Sequence, residues 1–413
     1  MGIQLDDYQL DAIDRMKVGS ILCGGTGSGK SRTGIGFYFL RNGGCFEPFE
    51  PMRTAPQDLY IITTAQKRDR GEWLADLAPF GLSTDPKCSA YLCRVVVDSW
   101  NNIAKYRDVE NAFFLFDEQH VVGYGAWTKS FLWITRHNDW ILCTATPGDC
   151  WEDYMSVFIA NGFYKNKTEF EREHCIFNPH VNFRQISGYM NQGRLIRYRN
   201  QVLIDMDYHT HTIHHDEQIV CEYDRRLYRQ VAVERWNPYK SCPIENGSDY
   251  CYVLRRVVNS DPSRIEAVRQ LLKRHPKIIV FYNFDYELEL LKNAPWPEDV
   301  RVSELNGHQH DPVPSGDRWL YLVQYTTGSE AWNCTATDAM IFFSQNYSYK
   351  VLVQSKGRID RRNTPFVDLY YYRLRSQASI DFMINKALTS KKDFNERRHY
   401  PAEFAASRKK VAL

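Results

Sequence analysis

The segment Gly24-Gly-Thr-Gly-Ser-Gly-Lys-Ser31, entered from Ile21-Leu-Cys23, constrains the fold of this 413-residue chain more than any other feature. It fits G-x-x-x-x-G-K-S with Gly24, Gly29, Lys30 and Ser31 in register, a pattern that belongs between a buried strand and a helix. Glycines let the backbone curl so that successive N–H groups converge on an anion. The helix beginning near Lys30 adds the positive end of its dipole. Gly25, Thr26, Gly27, Ser28 and Gly29 thus supply the wall of a phosphate cradle. Lys30 is expected at the β- and γ-phosphates of a nucleotide and the Ser31 hydroxyl on Mg²⁺.

A strand–loop–helix start implies an α/β protein, and the rest of the chain repeats that rhythm. Short β-branched and aromatic runs occur at 20–23, 59–65, 94–98, 112–116 and 140–144, then at 277–284, 301–305, 318–325, 339–344 and 367–374. Runs of four to eight apolar residues separated by helix-length segments are the mark of buried parallel strands. Two series imply two α/β domains, expected at 1–222 and 223–413. The stretch Tyr208-His-Thr-His-Thr-Ile-His-His215 shows neither a helical nor a strand stripe.

Composition removes several classes. Hydrophobic residues make up 43% and charged residues 25%, ordinary for a folded protein and unlike a disordered chain. No uncharged apolar stretch approaches the roughly 20 residues of a membrane span, and the acidic MGIQLDDYQLD start lacks a signal-peptide layout. A net charge of +2 leaves room for a local basic groove but not for binding by bulk positive charge; the basic tail 407–410 reads as solvated surface. The eleven cysteines form no CxxC pair, which favours reduced thiols over a zinc site.

A phosphate-bound metal needs an acidic anchor, and Phe113-Phe-Leu-Phe-Asp117-Glu118-Gln-His120 offers one. An apolar strand ending in two acids delivers them to the carboxyl edge of a sheet, where open α/β folds bind ligands. Asp117 is expected to hold Mg²⁺ and Glu118 to orient and deprotonate water. On its own, such a pair is as commonly a solvated loop; the cradle upstream gives it meaning.

In this order the motifs resemble superfamily 2 helicases and translocases, in the Swi/Snf-like branch. Tyr8-Gln9 looks like that branch's adenine-reading glutamine, Asp117-Glu-Gln-His120 like the DEAH box, and Thr144-Ala-Thr-Pro147 like the motif that couples hydrolysis to domain movement. Ile279–Phe284 resembles the fourth motif, and Tyr325–Asn333 with Thr335–Asp338 the fifth. Gln354-Ser-Lys-Gly-Arg358-Ile-Asp-Arg361 resembles the sixth, Q-x-x-G-R-x-x-R. The matches run from residue 5 to residue 365. The chain departs from the branch in its GGTGSGKS cradle and in a fifth motif without the G-x-G-x-N glycines, and its compactness looks like phage-encoded or minimal bacterial members.

The resemblance implies two tandem RecA-like domains with parallel sheets and an inter-domain ATP cleft. It makes Lys30, Asp117, Glu118, Gln354, Arg358 and Arg361 catalytic, Gln9 and residues 25–31 nucleotide-binding, and Ser31 and Asp117 metal-binding. A helical turn would present Arg358 and Arg361 on one face. The implied cofactors are ATP and magnesium. The implied partner is nucleic acid, DNA favoured over RNA and no membrane, for a monomer in the cytoplasm (of a host, if phage-encoded). Candidate backbone contacts are Thr63-Thr64, Asp98-Ser99-Trp100, Tyr282-Asn283 and Thr326-Thr327. The 10 Trp, 26 Tyr and 22 Phe could include base-stacking platforms. The rival readings are a nucleotide-gated clamp without translocation and an RNA helicase.

Overall fold

A computed structural model describes residues 3–118, 121, 124–180, 184–328 and 332–396. Gln119 and His120 of the acidic motif, Ser329–Ala331 of the fifth motif and the basic tail lie outside them. The chain forms two compact units, one built on Met1–His209 and the other on Thr210–Asp393. No helix among the described residues is long and apolar enough to cross a membrane.

The first unit holds a six-stranded sheet of β1 (Ile21–Cys23), β2 (Leu59–Thr63), β3 (Val95–Ser99), β4 (Phe113–Asp117), β5 (Asp139–Thr144) and β6 (Leu203–Asp205), in the order β3-β2-β4-β5-β1-β6. Every pairing is parallel. Side chains alternate across the sheet. On β4, Phe113 and Leu115 join a core with Ile35 and Ile141 below one face, while Phe114 and Phe116 join Tyr60 and Leu142 on the other. Because both faces are covered, the strands read as continuous apolar runs.

The second unit repeats the plan with β7 (Ile213–Val220), β8 (Lys277–Tyr282), β9 (Arg301–Leu305), β10 (Trp319–Gln324), β11 (Ala339–Phe342) and β12 (Asp368–Arg375), ordered β9-β10-β8-β11-β12-β7 and again all parallel. Ile278, Val280 and Tyr282 of β8 pack on one face, Ile279 and Phe281 on the other. Two parallel six-stranded sheets covered by helices are two tandem RecA-like α/β domains.

All ten expected runs are strands. Each six-stranded sheet also gains one strand outside those runs: β6 is only three residues long, with Leu203-Ile204 its sole apolar pair, and β7 lies at a sheet edge with mostly exposed side chains. The second of these moves the division of the chain. Residues 213–220, expected before a boundary near 222, belong to the second sheet, so the units meet between His209 and Thr210. Backbone pairing with β12, rather than any side-chain pattern, recruits the His-rich stretch.

Candidate active site

Register brings the first unit's motifs together. Cys23 pairs with Thr144 and Asp117 with Cys143, so the glycine loop after β1, the Thr144–Pro147 segment after β5 and the acids at the end of β4 share one carboxyl edge. The Gly24 N–H donates to the Thr144 carbonyl at 3.3 Å. Helix α1 (Asp7–Arg15) packs beside α2 (Lys30–Arg41), which starts from Gly29.

Gly27 and Gly29 have φ of +83° and +76°, the left-handed region that favours glycine. Gly24 is closely packed, since a Cβ there would fall 2.5 Å from Ser28 Oγ and 2.9 Å from Met206 Sδ. Ser28 is fully buried and turns its hydroxyl toward Met206, so only its backbone shapes the loop. Lys30 Nζ donates to the Gly24 and Gly25 carbonyls at 2.9 and 2.8 Å, holding the ammonium within the loop. Burial pushes its pKa down, Glu118 pulls it up and the like charge of Lys67 lowers it further. Thr26 and Ser31 are half-buried on the same turn.

Asp117 is 2% exposed. Its Oδ2 accepts from the Thr63 hydroxyl at 2.6 Å and from Lys67 Nζ at 2.9 Å, and its carbonyl accepts from the Trp100 indole at 2.9 Å. Glu118 has φ of +60°, a conformation costing a non-glycine residue about 1–3 kcal/mol, and its N–H is anchored on the Cys143 carbonyl at 2.8 Å. The strained turn sets Glu118 off the strand axis beside Asp117. Hydroxyl and carboxylate oxygens are hard donors that suit Mg²⁺ bound chiefly through phosphate, so the residues present fit that ion. Among the described residues no three His, Cys, Asp or Glu side chains gather as a separate metal cage.

Gln9 reaches the loop from α1. Its Nε2 donates to Gly29 O at 3.3 Å and Thr33 Oγ1 at 3.1 Å, and its Oε1 accepts from the Asp6 N–H at 2.9 Å. Gln9 is thus at the cradle, with its carboxamide engaged by protein. The neighbouring Tyr8 donates to Ser28 O, and its ring lies 5.4 Å from that of Tyr208.

Lys67, Met206 and Tyr208 are site residues that sequence reasoning missed, and Thr63, expected at a nucleic-acid phosphate, instead bonds Asp117. Thr63 and Lys67 reach Asp117 because β2 pairs with β4, and Met206 and Tyr208 arrive because β6 adds beside β1. Only the short apolar run Leu203-Ile204 hinted at the latter.

The expected nucleic-acid contacts fare unevenly. Thr63, Trp100 and Tyr282 are buried within their domains, which removes them as direct phosphate contacts. Thr64 caps a short helix, Ala65–Asp69, and Asn283 bonds Ser344. Asp98 anchors a polar cluster, accepting from Arg68, Asn102, Tyr106 and the Ser99 N–H. Thr326 is exposed.

Gln354, Arg358 and Arg361 lie in the second unit. Helix Tyr349–Lys356 ends before either arginine, so the expected shared helical face is replaced by a turn after Gly357. Gln354 is 7% exposed on that helix. Arg358, also 7% exposed, donates to the Gln354 and Trp332 carbonyls at 3.0 and 2.9 Å, tying the fifth and sixth motifs together. Arg361 is half-buried. Between them Asp360 accepts from Thr212 at 2.7 Å and pairs with His214 at 3.0 Å, so the strand after the domain boundary steadies this turn.

The chain matches no protein-family model and no curated protein. Among solved structures it is similar to the Sulfolobus solfataricus SWI2/SNF2 ATPase core in complex with dsDNA, at 14% identity and a TM-score of 0.42, over 95% of this chain and 92% of that one.

Proposed function

We propose that this protein is a nucleic-acid-dependent ATPase, a DNA translocase or helicase of the Swi/Snf-like superfamily 2 type. The observation that carries the reading is the convergence of the Lys30 loop with Asp117 and Glu118 at one sheet edge, reinforced by motifs in the same family order across both domains. The loop N–H groups and Lys30 bind the phosphates, Ser31 and Asp117 hold magnesium, and Glu118 orients the attacking water and accepts its proton. When bound, Mg²⁺ neutralises phosphate charge. Arg361, from the second domain, is assigned to the charge that develops on the γ-phosphate, with Arg358 bracing its turn and Gln354 beside it. Binding across an inter-domain cleft would favour closure and product release would favour opening, which is the cycle a stepping motor needs.

The test is steady-state ATP hydrolysis by the full chain with duplex DNA, single-stranded DNA or RNA at low salt. Stimulation by DNA supports the motor. Stimulation by RNA alone makes it an RNA helicase, and hydrolysis indifferent to all three favours the nucleotide-gated clamp.

A further inference from the structure

Lys67 occupies one oxygen, Oδ2, of the carboxylate that the metal needs. Its ammonium lies 2.9 Å from Asp117 Oδ2 and 3.9 Å from Glu118 Oε1, with the lysine side chain 24% exposed and that of Asp117 only 3%. Oδ2 also accepts from Thr63 at 2.6 Å, so protein donors fill both lone pairs of that oxygen. A cation, or a water that it holds, gains Oδ2 only when the ammonium leaves. Leaving is costly unless something replaces each charge, because a buried carboxylate would otherwise stand alone.

The neighbouring Arg68 is held by Asp69, Asp98 and Ser99. Lys67 is therefore the partly exposed cation that bridges solvent and both catalytic acids.

We propose that Lys67 is a positioning residue that couples the site's two ligands: it holds Asp117 and Glu118 until a backbone phosphate of nucleic acid draws the ammonium away and frees them for the divalent cation. This rests on the ATPase reading above. Linkage requires the effect to be reciprocal, so nucleic acid tightens metal binding and bound metal tightens nucleic-acid binding.

The experiment reads binding rather than turnover. The Mg²⁺ concentration that half-saturates fluorescent-ADP binding is measured with and without duplex DNA for the wild type, Lys67→Met and Lys67→Arg. DNA should lower this concentration on the order of tenfold in the wild type, within the ordinary range of coupling between sites. Lys67→Met should start at the lower value and ignore DNA, while Lys67→Arg keeps the wild-type response. A Lys67→Met protein with wild-type or weaker metal dependence, or an equal DNA effect in both proteins, overturns the proposal alone. Failure of the wild type to bind ADP at any Mg²⁺ concentration overturns the ATPase reading with it.

Discussion

Replacing Arg264 by methionine should unfold the second unit far more readily than its distance from any motif suggests. The guanidinium is fully buried, 3.1 Å from Asp381, and also donates to the Val258, Phe343 and Leu374 carbonyls. It joins helix Pro262–Arg274 to the ends of β11 and β12 and to helix Ser379–Glu396. Methionine fills most of the volume but strands Asp381, whose side chain is 6% exposed. Breaking a buried pair from one side costs about 3–5 kcal/mol. At 2–4 °C per kcal/mol for a unit of this size, the calorimetric transition should fall by roughly 6–20 °C. Adding Asp381→Asn removes the stranded charge and keeps an acceptor for the Ser376 N–H, which Asp381 now binds at 2.6 Å. The double variant should therefore recover part of the loss. A single-variant loss under about 1 kcal/mol, or a double variant no better than the single, would refute the reasoning.

Three other outcomes are expected. Glu118→Gln should bind fluorescent ATP normally while hydrolysis falls on the order of 10²–10⁴-fold, as removing a general base does. Arg361→Ala should also bind ATP nearly normally, with turnover down by about 10³–10⁵-fold; equal losses in binding and turnover would remove it as a finger. Burial alone would raise the pKa of Asp98, but hydrogen bonds from Tyr106, Asn102, Ser99 and Arg68 bring it down to about 2. A depressed carboxylate stabilises the fold above its unfolded pKa and loses that contribution as pH falls through its folded one. After allowance for solvent screening, wild type should thus lose roughly 1 kcal/mol between about pH 4 and pH 2 that Asp98→Asn does not, measured by urea unfolding across that range.

What was legible in the sequence follows from what the physics forces on residue type. Strands covered on both faces must be continuously apolar, so Leu59–Thr63, Phe113–Asp117 and Lys277–Tyr282 announce themselves. A phosphate loop must carry glycine where φ is positive and lysine where the helix begins, so Gly27, Gly29 and Lys30 are readable without coordinates. Strand β7 owes its place to backbone pairing at a sheet edge, which leaves no side-chain signature, and β6 offers only the pair Leu203-Ile204. The bond between Lys67 and Asp117 depends on β2 lying next to β4, a neighbour relation that spacing along the chain does not encode. The same limit explains Arg358: its residue type was readable, but its burial against the Trp332 carbonyl arises from a helix that stops at Lys356.

In the proposed function, Lys30 and its loop bind the nucleotide that Glu118 helps to hydrolyse. The most direct measurement is phosphate release from ATP by the wild type and by Lys30→Ala, each saturated with duplex DNA. Steady turnover is expected in the wild type and none in the variant, with ATP binding weakened. Undiminished phosphate release from Lys30→Ala, or none from the wild type under any nucleic acid, would contradict that function.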